Sequence, residues 1–165
     1  LDYVKAHAEI PVVLDPVLVC KESHDVEVSA LREELIKFFP YVNIITPNLP
    51  EAEILTQSKI QSLDEMKEAA RKLHELGAAN VVVKGGNRLN KEKAIDVFYD
   101  GTDFAVIEEP VLEKNNTGAG CTFASSISSQ LVQGKTPLEA VKASKDFVFQ
   151  AIQHSDQYGV VQYDL

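Results

Sequence analysis

Cysteine, basic side chains and long uninterrupted apolar segments are all scarce in this sequence. Its two cysteines, Cys20 and Cys121, can pair only if the fold brings them together, so free thiols are expected. Sixteen basic residues against 25 acidic ones give a formal charge of −9, which argues against a nucleic acid partner. Charged residues interrupt the first apolar stretch, so neither a signal peptide core nor a membrane span is expected there. We therefore expect a cytoplasmic protein.

What the sequence does contain is an alternation of apolar strands and amphipathic helices. With 45% hydrophobic residues and no internal repeat or linker, residues 1–165 are expected to form a single domain. Continuous apolar runs are typical of strands that are buried on both faces, and an apolar stripe at helical spacing is typical of a helix. These patterns predict strands at 11–19, 42–46 and 79–86, an antiparallel hairpin at 94–109, and helices at 28–39, 49–56, 62–77, 119–133 and 137–153.

The order of these elements predicts an α/β fold. We expect a three-layer α/β/α sandwich, with a mostly parallel sheet and an antiparallel hairpin at its edge. Ser29 is the expected N-cap of the first of these helices, while Ser62 and Glu65 have the spacing of a capping box. The chain enters directly into a strand of central type, with nothing before it to form a neighbour. The N-terminal strands of the sheet are therefore expected to be missing.

Polar side chains cluster where the predicted strands end, which is where ligands bind in α/β sheets. Asp15 interrupts an apolar run, so its carboxylate needs a partner. Asn48 and Glu51 lie at the start of a predicted helix, where they either order a magnesium ion through water or simply cap the helix. Lys84 ends a strand and precedes two glycines. It is either a fixed cation that binds phosphate or a solvated lysine at the end of a strand.

The segment NNTGAGCTF, at 115–123, places small residues directly before a predicted helix. Gly118, Ala119 and Gly120 allow backbone N–H groups to approach an anion, and the first turn of the helix offers further donors. The segment is not a Walker loop, because no Gly-Lys-Ser or Gly-Lys-Thr follows, and Phe123 stands where a dinucleotide fingerprint needs glycine. Alternatively, the turn only packs the helix against the sheet. Cys121 would then be a small buried residue without a chemical role.

Phosphate chemistry accounts for these features together. It needs an anion cradle, an acid and an amide that order a metal, a fixed lysine, and a polar group near the acceptor. The segments DPVLVCK, TPNLPEAEILT, VVVKGGN, DVFYDG and NTGAGCTF, in this order, resemble the ribokinase-like superfamily, and in particular its branch of vitamin B6 kinases and hydroxymethylpyrimidine kinases. The resemblance covers nearly the whole chain.

This resemblance implies transfer of the ATP γ-phosphate to the hydroxymethyl group of a small heteroaromatic ring. It implies ATP and Mg²⁺ as cofactors, no membrane partner, and a homodimer at full length. Family members are longer, so the resemblance also implies that this chain is the C-terminal portion. Such a portion retains most of the ATP and magnesium apparatus and lacks much of the acceptor site.

Residue by residue, the glycine-rich turn carries the catalytic part of the resemblance. Gly118, Ala119, Gly120 and Cys121 are similar to the anion hole and catalytic turn of the family, with Gly118 and Gly120 also contacting ATP. Sugar kinases of the superfamily have an aspartate base where this chain has Cys121. The pyrimidine and B6 branch also has a cysteine at this position. The resemblance therefore favours the substrates of that branch over sugars.

The strand ends carry the rest of the catalytic resemblance. Asn48 and Glu51 are similar to the family's Asn-x-x-Glu element, which places Asn48 at the nucleotide and Glu51 at the metal. Lys84 is similar to the nucleotide-side lysine. Asp15 is similar to the aspartate near the transferred phosphate and, mostly through water, near the metal.

The acceptor is expected to be a B6 vitamer, with hydroxymethylpyrimidine or its phosphate as the alternative. Val17 is similar to a residue that lines the ring pocket, and Cys20 falls on the family's flap over the substrate. The residues around Cys20, the segment 84–101 and the sequence GAGCTFA look more like those of Gram-positive pyridoxine and pyridoxal kinases. Pyridoxal carries an aldehyde to which a thiol adds reversibly, which suits a cysteine on the flap.

Two other classes of protein remain open at this point. A cysteine hydrolase would use Cys121 with His7, His24, His74 or His154 as base, although none of these histidines lies at the end of a predicted strand. A catalytically silent nucleotide-binding remnant would keep the phosphate site and lack turnover. Turnover of ATP with one acceptor separates the kinase from both.

Overall fold

The structure is a computed structural model that describes residue 6 and residues 10–16, 25–86, 88–110 and 119–153. In these residues five strands and five α-helices follow one another along the chain. They are β1 (Val13–Leu14), α1 (Asp25–Phe38), β2 (Ile44–Ile45), α2 (Leu49–Thr56), α3 (Leu63–Glu75), β3 (Val81–Lys84), β4 (Lys93–Tyr99), β5 (Phe104–Pro110), α4 (Ala119–Val132) and α5 (Pro137–Gln153). A short 3₁₀ turn, Phe39–Tyr41, follows α1.

The five strands form one sheet in the order β1-β2-β3-β4-β5. The pairs β1/β2 and β2/β3 are parallel, whereas β3/β4 and β4/β5 are antiparallel. Within this sheet β4 therefore runs against the other four strands. β1, β2, β3 and β5 all end at the same edge of the sheet, which we call the phosphate edge because the sequence predicts phosphate chemistry there.

Helices cover both faces of the sheet, and on each face they pack over a separate apolar cluster. On one face Met66 and Leu73 of α3 pack with Val81 and Val83 of β3. On the other face Phe123 and Ile127 of α4 pack with Ile44, Val82 and Phe98. Because side chains alternate along a strand, Val82 and Lys84 share the face that α4 and α5 cover. The predicted α/β/α sandwich is confirmed.

The predicted helices and strands are confirmed in kind, and some of their bounds differ. Helix α1 begins at Asp25 and runs through Ser29, so the prediction that Ser29 is an N-cap was wrong. Serine tends to cap, but intrinsic preference is weak and the turn before Ser29 also becomes helical. Ser62 does cap α3, with its hydroxyl accepting the Glu65 amide at 3.2 Å. The first strand is shorter than predicted, and 17–19 fall outside the described residues.

Candidate functional site

Three side chains from three strands meet at the phosphate edge. Asp15 follows β1, Thr46 follows β2, and Lys84 ends β3. One oxygen of Asp15, Oδ1, accepts a hydrogen bond from the Thr46 hydroxyl at 3.1 Å and one from Lys84 Nζ at 3.3 Å. The side chains of Lys84 and Asp15 are 18% and 20% exposed, so the ion pair is largely buried and still reaches solvent. The structure thus gives the predicted partner of Asp15.

This geometry holds a cation at an accessible position. Lys84 has the Asp15 carboxylate beside it and, as an ammonium, three donors to offer. A lysine fixed by a carboxylate on a strand end can reach a second anion, such as a phosphate oxygen, without reorienting its backbone. Sequence reasoning placed Asp15 and Lys84 at this edge and did not assign a role to Thr46.

Asn48 and Glu51 form a complete capping box at the start of α2. The Asn48 side-chain oxygen accepts the Glu51 amide, and the Glu51 carboxylate accepts the Asn48 amide, each at 2.9 Å. Glu51 is 5% exposed. The capping alternative considered from the sequence is therefore present, and a role for this pair at a metal or nucleotide stays a prediction.

The capping box lies beside Lys84. A single bridge pairs Asn48 with Lys84 in parallel register, and the Lys84 amide donates to the Pro47 carbonyl at 2.8 Å. The backbone that carries the ammonium is therefore tied to the start of α2. All four predicted strand-end residues, Asp15, Asn48, Glu51 and Lys84, belong to one connected group at the phosphate edge.

The glycine-rich turn is described in part. Helix α4 begins at Ala119, so Ala119, Gly120 and Cys121 form its first turn, as predicted. Gly118 and the side chain of Cys121 lie outside what the structure describes. Phe123 is 3% exposed and packs on the sheet, which explains why an aromatic residue follows the small ones. The roles of Gly118, Gly120 and Cys121 stay predictions, as do those of Val17 and Cys20, both outside the described residues.

A second ion pair, missed by sequence reasoning, lies next to Lys84 on the same face. The Asp96 carboxylate of β4 accepts Lys145 Nζ of α5 at 2.6 Å and the Gly85 amide at 3.2 Å. Asp96 interrupts an apolar strand just as Asp15 does, so the sequence contained the same signal of a buried carboxylate that needs a partner. Nothing in the sequence pointed to Lys145 as its partner.

Glu109, near the end of β5, has a carboxyl whose pKa is strongly raised in the folded protein. Partial burial raises the pKa of the Glu109 carboxyl to about 7. The positive charge of Lys145 opposes this rise, and the negative charges of Asp146 and Asp96 add to it. A carboxyl with a pKa near neutrality changes its charge in the range where most enzymes are assayed.

Replacing Glu109 with glutamine should stabilise the fold more at pH 8 than at pH 5. The pKa of Glu109 is higher in the folded protein than its ordinary 4.5, so the folded state binds the proton more tightly. The stability that this proton gives to the folded state is fully present below the ordinary pKa of 4.5. It is lost as the pH rises through about 7, where the partly buried carboxyl becomes charged. Thermal melts should show a gain of a few degrees for Glu109→Gln at pH 8 and little change at pH 5. An equal shift at both pH values would contradict burial as the cause.

His74, one candidate base for a hydrolase, lies away from this site. Its Nδ1 is 2.7 Å from the Ala78 carbonyl oxygen, and its ring packs edge-on against Tyr99. Tyr99 pairs with Val81, the first residue of β3, whereas Lys84 is the last. His74 is therefore at the opposite end of β3. The other candidates, His7, His24 and His154, fall outside the described residues.

The side-chain atoms at the phosphate edge that could coordinate a metal ion are oxygens of Asp15, Thr46, Asn48 and Glu51. Within the described ranges, no group of three or more His, Cys, Asp or Glu side chains is arranged to hold a metal ion by itself. Magnesium usually keeps several waters and takes one or two carboxylates together with substrate phosphates. Asp15 and Glu51 supply two carboxylates to the group at this edge, which are ligands of the kind that a magnesium ion completed by water and phosphate takes. Across the described residues, no helix is long and apolar enough to cross a membrane.

Comparison with known proteins gives the family. The profile of the phosphomethylpyrimidine kinase family matches residues 1–164. A pyridoxine kinase of Bacillus subtilis is 43% identical over 150 residues, covering 87% of this chain and 54% of that protein. A hydroxymethylpyrimidine/phosphomethylpyrimidine kinase of Aquifex aeolicus is 39% identical over 153 residues, covering 90% of this chain and 58% of that protein.

Solved structures agree with the sequence comparison. The pyridoxal kinase of Staphylococcus aureus, in complex with AMP-PCP and pyridoxal, has a TM-score of 0.79 and 36% identity, over 92% of this chain and 58% of that chain. This chain therefore spans a little over half the length of each of these three relatives. The resemblance to the ribokinase-like kinases is confirmed. The chain belongs to the phosphomethylpyrimidine kinase family.

Proposed function

We propose that the protein carrying this chain transfers the γ-phosphate of ATP to the hydroxymethyl group of a B6 vitamer. The observation that carries the proposal is the meeting of Lys84, Asp15 and Thr46 at the phosphate edge, in a fold similar to that of a pyridoxal kinase. Phosphoryl transfer needs positioning and charge stabilisation more than covalent chemistry. A buried cation beside an oxygen-rich edge supplies both.

In this proposal Lys84 binds a phosphate oxygen of the nucleotide. Its ammonium then faces Asp15 on one side and the phosphate on the other, which fixes the position of the charge. The amides of Gly118 and Gly120 would contact the phosphates at the start of α4, with Asn48 on the nucleotide side. Asp15 and Glu51 would hold Mg²⁺, mostly through water. Magnesium, when bound, neutralises charge on the phosphate oxygens.

Cys121 would stand nearest the acceptor hydroxyl in this arrangement. A thiol in the first turn of a helix lies in a field that favours its deprotonated form, which suits it to take up or orient the hydroxyl proton. Val17 would line the ring pocket, and Cys20 would contact the substrate from the flap. A homodimer and a cytoplasmic location are part of the same proposal.

Replacing Cys121 with alanine should lower kcat by about 100-fold, the usual effect of losing one group that acts on the transition state. Affinity for ADP should stay close to that of the wild type, because the thiol lies on the acceptor side. Steady-state kinetics together with ADP titration separate the two effects. Cys20→Ala is the matched comparison and should raise the KM for pyridoxal. Unchanged kcat in Cys121→Ala would remove this thiol from the mechanism.

The acceptor is tested by competition. The full-length protein is incubated with ATP, Mg²⁺ and equal concentrations of pyridoxal and hydroxymethylpyrimidine, and the two phosphorylated products are quantified by mass spectrometry. The proposal expects phosphorylated pyridoxal to dominate. Hydroxymethylpyrimidine/phosphomethylpyrimidine kinase is the second candidate, because the family profile is named for phosphomethylpyrimidine kinase and the Aquifex relative carries both names. A dominant pyrimidine product would replace the first candidate with the second.

A further inference from the structure

The carboxylate of Asp96 is nearly enclosed and has two donors of different kinds. Its side chain is 4% exposed, and that of Lys145 is 15% exposed. Oδ2 accepts Lys145 Nζ at 2.6 Å, and Oδ1 accepts the backbone amide of Gly85 at 3.2 Å. The two oxygens therefore join helix α5 to the residue that follows β3.

The contact to Gly85 acts on the backbone that carries Lys84. Lys84 and Asp96 are directly opposite each other in the β3/β4 pair, and Gly85 is the next residue along the chain. The Gly85 amide is shared between Asp96 and the Ile95 carbonyl, which lies at 2.9 Å. A methyl group on Gly85 would overlap the Ile95 carbonyl oxygen. The chain therefore leaves β3 in close contact with β4.

We propose that Asp96 is a positioning residue that fixes the backbone from which Lys84 reaches the nucleotide phosphate. Asp96 acts through the Gly85 amide, and Lys145 holds the carboxylate in the orientation that accepts this amide. The inference rests on the proposed function, in which Lys84 binds phosphate. It adds a pair of residues, one on β4 and one on α5, that act on Lys84 through the backbone.

Stability alone does not account for this arrangement. A buried ion pair is a weak source of stability, because desolvation of both charges offsets their attraction, and an apolar pair of similar volume commonly does as well. What an apolar pair cannot do is accept the Gly85 N–H. The feature that distinguishes Asp96 is therefore its oxygen acceptor, and the experiment isolates that oxygen.

Two double variants separate the acceptor from the charge. Both Asp96→Asn with Lys145→Met and Asp96→Leu with Lys145→Met remove the ion pair and leave no buried charge. Asparagine keeps an oxygen for the Gly85 amide, whereas leucine has a similar size and no acceptor. Each variant is made in the full-length protein, and circular dichroism at the assay temperature establishes that it is folded. If the leucine variant fails to fold, alanine replaces leucine.

Isothermal titration with ADP is the main measurement. We expect the asparagine variant to bind ADP within about threefold of the wild type and the leucine variant to bind about tenfold more weakly, because the Gly85 amide then keeps the Ile95 carbonyl and loses its second acceptor. Removing the exposed pair of α3 by Glu68→Gln with Arg71→Met is the control and should leave affinity unchanged. Equal ADP affinity of the two folded Asp96 variants would overturn the inference.

Hydrogen exchange at the Gly85 amide keeps this test separate from the proposed function. With glycine-selective ¹⁵N labelling, the Gly85 amide should exchange faster in the leucine variant than in the asparagine variant. A wild-type protein that does not bind ADP would refute the proposed function, and Gly85 exchange would still report on the positioning of the backbone. Equal exchange in both variants would overturn the inference even if ADP binds.

Discussion

Replacing Lys84 with methionine is expected to lower kcat/KM for ATP by about 100-fold to 1,000-fold, the range seen when one fixed donor is removed from a transition state. Methionine keeps the unbranched shape and most of the length of the side chain, and it removes the charge. It also leaves Asp15 with the Thr46 hydroxyl as its remaining described donor, so negative charge then faces the phosphates. Steady-state kinetics with varied ATP, together with ADP titration, measure the effect.

Lys37→Met is the matched control for this variant. Lys37 lies on α1, its side chain is 58% exposed, and it pairs with Glu34 one helical turn away. The control removes one lysine of the same size from the surface and should leave kinetics within twofold of the wild type, since exposed pairs are worth about 1 kcal/mol or less. If Lys84→Met binds ADP and turns over ATP as well as this control does, Lys84 is not the phosphate cation.

Replacing Gly85 with alanine is expected to destabilise the fold by about 3 kcal/mol, the upper part of the range for overpacking. The new methyl group would overlap the Ile95 carbonyl oxygen and would lie 3.0 Å from Met66 Cε. The methionine end can move, but the carbonyl belongs to the backbone of β4, so the strand pair itself must shift. Urea denaturation of the variant and the wild type gives the free energy of unfolding.

Gly86→Ala provides the comparison for Gly85→Ala. Gly86 has a positive φ of 52°, and a methyl group there meets no heavy atom within 4 Å. The cost is therefore backbone strain alone, about 1–2 kcal/mol for a residue in the left-handed region. A larger loss for Gly85→Ala than for Gly86→Ala supports close packing of the turn on β4. Equal losses at the two positions would mean that the turn opens to accept the methyl group.

Much of the fold follows from local patterns that the sequence displays. The apolar run before Asp15 predicts β1, and the stripe of Met66, Ala69 and Leu73 predicts α3, because burial on one face imposes the period of each element. Helix α1 shows where this reasoning ends. Ser29 has a capping side chain, but the helix begins earlier, since local preference is weaker than the continuation of the helical backbone.

The site was predictable where a polar residue interrupts an apolar strand. Asp15 needed a partner, and the structure supplies Thr46 and Lys84, which come from separate strands. The partner of Asp96 could not be predicted, because Lys145 is 49 residues away and meets Asp96 only when α5 packs on the sheet. Partners of this kind are set by tertiary packing and leave no periodic signal in the chain.

The pair Asn48 and Glu51 shows a different limit. Its spacing alone favours a capping box, and the magnesium site is inferred from the neighbouring strand ends. Both need an amide and a carboxylate at the start of a helix. The structure shows the capping box, with both bonds at 2.9 Å. A carboxylate has about four lone-pair sites, so a bond to the cap amide and a role at a water-shelled metal are compatible.

The central claim is that the γ-phosphate of ATP passes to an alcohol. Phosphorus NMR of the full-length protein with ATP, Mg²⁺ and pyridoxal follows that phosphate directly. Our account predicts the loss of the γ resonance, the appearance of ADP, and one new phosphomonoester resonance in equal amount. These changes should need an acceptor, so the measurement is repeated with hydroxymethylpyrimidine in place of pyridoxal and with no acceptor. ATP that stays intact with both acceptors, or a γ-phosphate that is released only as inorganic phosphate, would contradict the account.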